Sequence, residues 1–528
     1  MAGGVFAVRR DQSRQYDGRP TAYVVLACTV AASAGLLFGY DIGISGGVTS
    51  MDDFLQKFFP VVERKKKEPN SQYNNYCKYD NQGLAAFTSS LYIAGLIATF
   101  GASYTTRIWG RRPTILIGGF SFLVGAGLNA VAMNLPTLIC GRIMLGIGVG
   151  FGNQAVPVYL SEMAPANLRG GLNMLFQLAT TIGILSANLV NYGTQRLTPW
   201  GWRLSLGLAA VPASLMTFGG LFLPETPNSL VERGYLEQGR KVLEKIRGTT
   251  NVALEFEDLV QASDIASRVE HPFRNILKRR NRPQLVMAIL IPAFQLLTGI
   301  NSILFYAPVL FNSLGFGTNA SLYSSVITGA VMVVGALVTI ATVDRWGRRF
   351  LFMVGGIQMV LSQVVIAIVL QAKYGPHQVS LEKSYSALVV VFICVFVAGF
   401  GWSWAGLGWL VPSEIFALET RSAGQSITVS VNLLFTFAIA QAFLAMLCKF
   451  KWGIFLFFAG WEATMTIYVY LFLPETRNVP IEEMSSLWRE HWFWRHIVPA
   501  EDDDDVKPDT ENHFEDPLHT LQLAENAI

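Results

Sequence analysis

Long apolar runs separated by short polar breaks dominate the chain. Twelve stand out, at 21–44, 83–104, 113–132, 136–160, 171–192, 203–223, 284–312, 321–343, 350–372, 386–411, 421–446 and 453–473. A hydrocarbon core about 30 Å thick takes about 20 apolar residues of helix, since every backbone polar group there must be satisfied within its own segment. Each run is of that order, so the pattern predicts an all-α integral membrane protein with twelve transmembrane helices. Glycine, 48 residues in all, is frequent inside the runs, as close packing of membrane helices favours.

The runs form two sets of six that repeat one another. Trp109-Gly110-Arg111-Arg112 follows the second run, and Trp346-Gly347-Arg348-Arg349 follows the eighth. SEMAPANLR (Ser161–Arg169) ends the fourth, and SEIFALETR (Ser413–Arg421) ends the tenth. PETPN (Pro224–Asn228) closes the sixth, and PETRN (Pro474–Asn478) the twelfth. Three motif pairs in one order imply a duplicated six-helix unit. Parallel repeats of this kind place a substrate site at their interface near the bilayer midplane and give alternating access by rocking. The expected organisation is an N-terminal segment 1–20, a first half 21–223 containing an external segment 45–82, a linker 224–283, a second half 284–473 and a tail 474–528.

Composition agrees: 52% of residues are apolar, 15% are charged and mean hydropathy is +0.38, far from a soluble domain. The net charge of +3 matters less than its placement. Basic residues gather at Arg9, Arg10, Arg14 and Arg19, at Arg107, Arg111 and Arg112, throughout 224–283, and at Arg345, Arg348 and Arg349. Loops 133–136 and 313–320 have none. The positive-inside bias then puts both ends in the cytoplasm, consistent with an even number of spans. Arg64-Lys65-Lys66-Lys67 runs against the bias and reads as the polar face of a folded external segment. Residues 1–20 lack a short apolar core with a small-residue cleavage site, so the first span is expected to serve as the targeting signal. In the linker, Ser229–Gly248 has a helical pattern suited to the membrane surface. The tail beyond Pro480, with its acidic run Glu501–Asp505, reads as disordered. Asn319-Ala320-Ser321 fits the glycosylation pattern, but it abuts the eighth run, which argues against occupancy.

Charges inside the runs carry the chemistry. An ionised side chain there costs roughly 2.5–3.5 kcal/mol on insertion scales unless paired or hydrated. Asp41 could escape by taking a proton, but Arg142 cannot lose its charge. The economical reading is that the two face each other and neutralise one another, a pairing that a proton can break. Glu462, in the last run, reads as a residue paired at a helix interface. At the motif ends, glycine permits a tight turn, and Arg111, Arg112, Arg348 and Arg349 can meet carboxylates and helix C-termini. Glu162 with Arg169, or Glu414 with Arg421, is the candidate latch closing one side. Asp344-Arg345 stands where the first half has Arg107-Ile108, so the two gates are not equivalent. Cys28, Cys140 and Cys394 read as packing residues. Cys77 and Cys448 fall at external ends, where an oxidising side permits a disulfide, although sequence alone does not fix a pairing.

These motifs, together with FQLLTGIN (Phe294–Asn301), resemble the sugar porters of the major facilitator superfamily. GLLFGYDIGISGGVTSM (Gly35–Met51), YCKYDNQ (Tyr76–Gln82) and VPIEEM (Val479–Met484) resemble the plant sugar transport proteins, which are monosaccharide–proton symporters. The resemblance runs from Tyr23 to Trp494. It implies proton-driven monosaccharide uptake across a plasma membrane, with no cofactor, the proton gradient as energy source, a monomer in the lipid bilayer and no nucleic-acid partner. It also implies a lid in the first external segment, tied to the second half by Cys77 and Cys448. Asp41 becomes the proton acceptor and Arg142 its partner. Gln177, Gln295, Asn301 and Asn432 become sugar contacts, with Trp409 as the aromatic element and Phe38 nearby. Amides suit hydroxyls because they donate and accept, and an aromatic face covers the apolar side of a sugar ring.

Three contact positions depart from that pattern. Leu296 replaces a second glutamine, Met332 stands where an asparagine often occurs, and Ala405-Gly406 replaces Gly-Pro. A hydrogen-bonding mismatch costs roughly 1–3 kcal/mol, the Ala405 methyl can crowd a ring substituent, and a missing proline can loosen a kink. The expectation is a preference moved towards galactose or a pentose, or a reduced affinity. A proton-coupled symporter of a hexose or pentose is the leading reading. A non-transporting sugar receptor or regulator and a facilitative uniporter are the alternatives, and neither has a use for Asp41 and Arg142. An enzyme is the least supported class, since no metal-ligand cluster, nucleophile constellation or phosphate-binding loop stands out.

Overall fold

A computed structural model describes residues 21–67, 75–165, 169–267, 272–313, 318–373, 381–416, 420–477 and 484–498. Spans one to five are Ala22–Val48, Gln82–Ile108, Arg111–Ala130, Leu135–Met163 and Arg169–Thr194. Span six is two short helices, Gly201–Gly207 and Ala210–Gly220. Spans seven and ten are also broken, into Arg282–Leu297 and Ile300–Ser313, and into Lys383–Trp402 and Trp404–Ile415. Spans eight, nine, eleven and twelve are Thr318–Trp346, Arg348–Lys373, Arg421–Phe450 and Gly453–Phe472. Among the described residues, eleven of these segments are long and apolar enough to cross a membrane; span six falls short because it is split. Pro212 explains the split: it has no N–H, and Leu208 O is met instead by Val211 N at 3.0 Å in a tighter turn.

Within the first half, spans one and five are in backbone contact. A methyl at Gly39 would lie 1.9 Å from Thr180 O, and one at Gly35 2.3 Å from Phe176 O. Glycines four apart therefore form a groove that admits the neighbouring backbone, and this fixes where Asp41 points. Between the halves, span two packs on span eleven, span five on span eight and span one on span seven.

The segment between spans one and two folds as helices Asp52–Phe58 and Pro60–Lys67, followed by a single turn at Asn75–Cys77. Lys66 pairs with Asp52 at 2.7 Å and donates to Ser50 O, so the basic cluster that runs against the charge bias belongs to a folded cap. In the linker, helices Pro227–Glu232, Leu236–Arg247 and Ala253–Ser267 lie at the motif end, where Arg247 donates to Met163 O and Ala164 O. The expectation of a disordered tail needs correction at 484–498. Helix Met484–Glu490 and a turn at Trp494–His496 fold back on span twelve, where Trp492 and Trp494 donate to Leu471 O and Phe472 O and Trp488 is buried. Aromatic indoles with one polar atom to satisfy gain from such a surface. The acidic run lies outside the described residues, as do the arginines before position 20 and the side chain of Asn319. Cys28 is buried, whereas Cys140 is exposed on the outer surface and so does not pack the interior.

Candidate transport site

Asp41 and Arg142 are in direct contact, Nη1 to Oδ1, and both are buried. Arg142 Nη2 also donates to Ser45 Oγ at 3.0 Å, and its guanidinium lies 4.0 Å from the centroid of the Phe87 ring. Asp41 Oδ2 has no hydrogen-bond partner among the described residues, and the Tyr92 side chain stands beside it. The pair is roofed by the segment between spans one and two. Phe54, fully buried, packs on Phe87 with centroids 5.2 Å apart and on Trp202 at 5.7 Å. Residue 77 is joined to residue 448 by a disulfide, so the cap is fastened to the start of span two on one side and the end of span eleven on the other. At this end the halves meet closely. A methyl at Gly46 would lie 2.2 Å from Phe305 O, Tyr92 stacks on Phe305 at 5.3 Å, and Ser89 donates to Gln441 at 2.6 Å.

Three of the four amides assemble in the second half. Gln295 Nε2 donates to Trp404 O at 3.0 Å and Ala405 O at 3.2 Å, and its Oε1 accepts from Asn432 Nδ2 at 3.1 Å. Asn301 donates to Thr436 Oγ1 at 3.4 Å. The break in span seven puts Gln295 and Asn301 on either side of Gly299, at φ +78°, and Gln295 reaches the first turn of the helix that begins after the break in span ten. Gln177 lies across the interface in a cleft shared with Trp409, Phe176, Gly406 and Gln425. Free space there is about 20 Å³, room for one water. Phe38, Leu296, Met332 and Ala405 are buried. Span ten is kinked in this conformer although the proline is missing. Its break is at Ser403, whose Oγ donates to Gly399 O at 2.6 Å, and Trp404 Nε1 holds Phe352 O at 3.2 Å. One local bond, Ser403 to Gly399 O, and one tertiary bond, Trp404 to Phe352 O, flank the kink.

Gly408, which drew no attention in the sequence, governs this cluster. A methyl there would lie 2.5 Å from Gln295 Nε2. Only its place three residues after Ala405 on the same helix hinted at it.

At the opposite end the two halves carry the same network twice. Arg111 bridges Glu162 at 2.6 Å and Glu232 at 2.7 Å, and Glu162 also accepts from Thr226. Arg348 pairs with Glu414 at 2.8 Å and Asp344 at 3.2 Å, and Glu414 accepts from Thr476. Glu225 accepts from the backbone N–H groups of Arg111 and Arg112, and Glu475 from those of Arg348 and Arg349. The two PET glutamates thus cap spans three and nine, where the helix dipole favours a negative charge. Arg112 and Arg349 donate to Leu221 O and Tyr470 O. Gly110 and Gly347 have φ +99° and +86°, and any side chain there would strike the capping glutamate.

These described ion pairs join elements of one half, or the first half to its linker. The latch is therefore a brace within each half, and the inequivalence of the halves lies in Glu232 against Asp344. Arg169 and Arg421 begin spans five and eleven, and their side chains lie outside the described residues. Glu225, Glu475, Thr226 and Thr476 were missed as partners, although the recurring PET spacing signalled them.

Two duplicated six-helix units, a buried charge pair at one end of their interface and an amide cluster near its middle define a polytopic membrane transporter rather than an enzyme. Residues 27–488 match the family described as sugar (and other) transporter. The chain belongs to that family, as a sugar porter of the major facilitator superfamily closely similar to plant sugar transport proteins. It is 66% identical to sugar transport protein 7 of Arabidopsis thaliana, over 94% of this chain and 97% of that protein. It is 66% identical to sugar carrier protein A of Ricinus communis, over 95% and 96%. Its fold matches the proton:xylose symporter XylE bound to 6-bromo-6-deoxy-D-glucose, with a TM-score of 0.75 and 24% identity over 89% of this chain and all of that one. The partially occluded inward open form of XylE from E. coli aligns with a TM-score of 0.71 at 23% identity, over 86% of this chain and 99% of that one.

Proposed function

We propose that the protein is a proton-coupled monosaccharide symporter of the plasma membrane, monomeric and with both termini cytoplasmic. The observation that carries this reading is the Asp41–Arg142 pair, buried beneath the cap. A proton on Asp41 removes the charge that holds Arg142, so the pair has a joined and a released state. A proton arriving from the acidic outside releases Asp41 from Arg142 and favours the sugar-binding conformation. Deprotonation towards the cytoplasm restores the pair. Sugar enters by displacing the contacts that Gln295 now makes to span ten, with Asn301, Asn432 and Gln177 completing the amide set and Trp409 covering the ring. The sugar porters among its relatives, the proton:xylose symporter included, support the substrate class.

Leu296, Met332 and Ala405 change the contacts offered to the sugar, which favours galactose or a pentose over glucose, or a reduced affinity. The test is uptake of labelled glucose, galactose, xylose, arabinose and fructose in transporter-deficient yeast, at acidic and neutral external pH, with and without an uncoupler. Acid-stimulated, uncoupler-sensitive accumulation is expected. Surface protein that takes up none of these sugars would replace this reading with that of a receptor.

A further inference from the structure

Glu462 is a buried acid that the transport cycle above does not use. It lies on span twelve, fully buried, facing Gln363 of span nine. The two spans come this close because Gly356 leaves room for Thr466; a methyl at 356 would lie 2.1 Å from Thr466 Oγ1. Among the described residues no lysine, arginine or histidine forms an ion pair with Glu462. Its described polar contact is Gln363, whose Nε2 donates to Glu462 Oε1 at 3.4 Å and to Thr298 O at 3.3 Å.

Among the described residues, two buried polar atoms at this place have no partner, Glu462 Oε2 and Gln363 Oε1. An unpaired carboxylate in an apolar interior is far more costly than its neutral form. One proton on Oε2 turns it into a donor, and Gln363 Oε1 is the acceptor on the same partner. The two orphan atoms then satisfy each other and close a two-bond acid–amide pair.

Thr298 O belongs to the break of span seven. The next turn of the backbone bypasses it, since Ser302 N and Ile303 N both go to Gly299 O. Gln363 supplies the missing donor. Span twelve touches the break a second time one turn earlier, where the Phe458 ring lies against Gly299; a methyl there would lie 2.6 Å from the ring. Gln295 stands one turn before the break and Asn301 directly after it.

We propose that Glu462 is held as a neutral acid and, through Gln363, acts as a positioning residue for the span-seven break that sets Gln295 and Asn301. The proposal rests on those two residues contacting sugar, but two of its tests need no substrate. In purified protein in lipid nanodiscs at neutral pH, infrared difference spectra are expected to show a buried protonated carboxyl that Glu462→Gln lacks and Asp41→Asn retains. Its absence from the unmodified protein overturns the neutral acid. Hydrogen exchange over residues 298–303 is expected to quicken in Glu462→Ala and to return to the original rate in Glu462→Gln, which preserves a donor and an acceptor. Unchanged exchange in Glu462→Ala overturns the positioning role, whether or not sugar is transported. In uptake normalised to surface protein, Glu462→Ala is expected to raise KM about 5–30-fold, the equivalent of one or two buried hydrogen bonds, with turnover and pH profile retained and KM restored in Glu462→Gln. Quickened exchange with an unaltered KM would instead sink the assignment of Gln295 and Asn301 to sugar.

Discussion

Replacing Asp41 with asparagine removes one charge from a buried pair and leaves the other. Arg142 would keep Ser45 at 3.0 Å and the Phe87 ring at 4.0 Å, but neither carries a neutralising charge. Breaking a buried ion pair from one side costs roughly 3–5 kcal/mol, and the new amide returns about 1 kcal/mol as a neutral acceptor. The net loss for Asp41→Asn is therefore about 2–4 kcal/mol. Arg142→Met leaves Asp41 free to take a proton, so it should cost less. The double variant has no charge to bury and should recover most of the loss, giving a coupling near the upper end of the roughly 0.5–3 kcal/mol measured for contacting residues. The assay is reversible unfolding of purified protein followed by tryptophan fluorescence, for both single variants and the double. In parallel, Asp41→Asn is expected to exchange sugar without accumulating it against a gradient. Single-variant losses that simply add, or full concentrative uptake by Asp41→Asn, would refute the reasoning.

Gly408→Ala should push the Gln295 amide out of the place from which it would meet the sugar, raising the sugar KM about 10–100-fold at the usual worth of one to three net hydrogen bonds to the ring hydroxyls; an unaltered KM in uptake assays counts against the amide cluster as the site. Glu225→Gln and Glu475→Gln should each lower stability by about 1 kcal/mol, the worth of a charge at a helix N-terminus. Because they lie in different halves, their effects on thermal unfolding should add. Cys77→Ala should leave the fold intact but loosen the cap, so uptake falls at neutral external pH and recovers at acidic pH. Identical pH profiles for the variant and the original protein would remove the cap from the coupling argument.

The number of spans and the duplication were legible because both follow from repeated, local signals: apolar length and motif order. The contact between Asp41 and Arg142 was legible for another reason. Two isolated charges in one apolar interior have few ways to avoid a large cost, and meeting is the simplest. Which arginine meets which glutamate at the motif ends was not legible, because Glu162 lies near Arg169 in sequence but contacts Arg111 through the fold. The aromatic fold-back of 484–498 was obscured by the acidic stretch that follows it. Gln363 was passed over because an amide in a membrane helix serves many purposes, and its use becomes visible only once Thr298 O is seen without a backbone donor. The kink at Ser403 shows the same limit: the bond from Trp404 Nε1 to Phe352 O beside it is made only by the fold.

The bond between Cys77 and Cys448, 371 positions apart in sequence, closes a covalent ring of chain that contains the whole linker. The halves are thus tied on both faces, by peptide at one and by sulfur at the other. A protease cut between the linker helices would leave two fragments that migrate as one molecule until a reductant is added. Only cutting and reduction together would release the halves from each other.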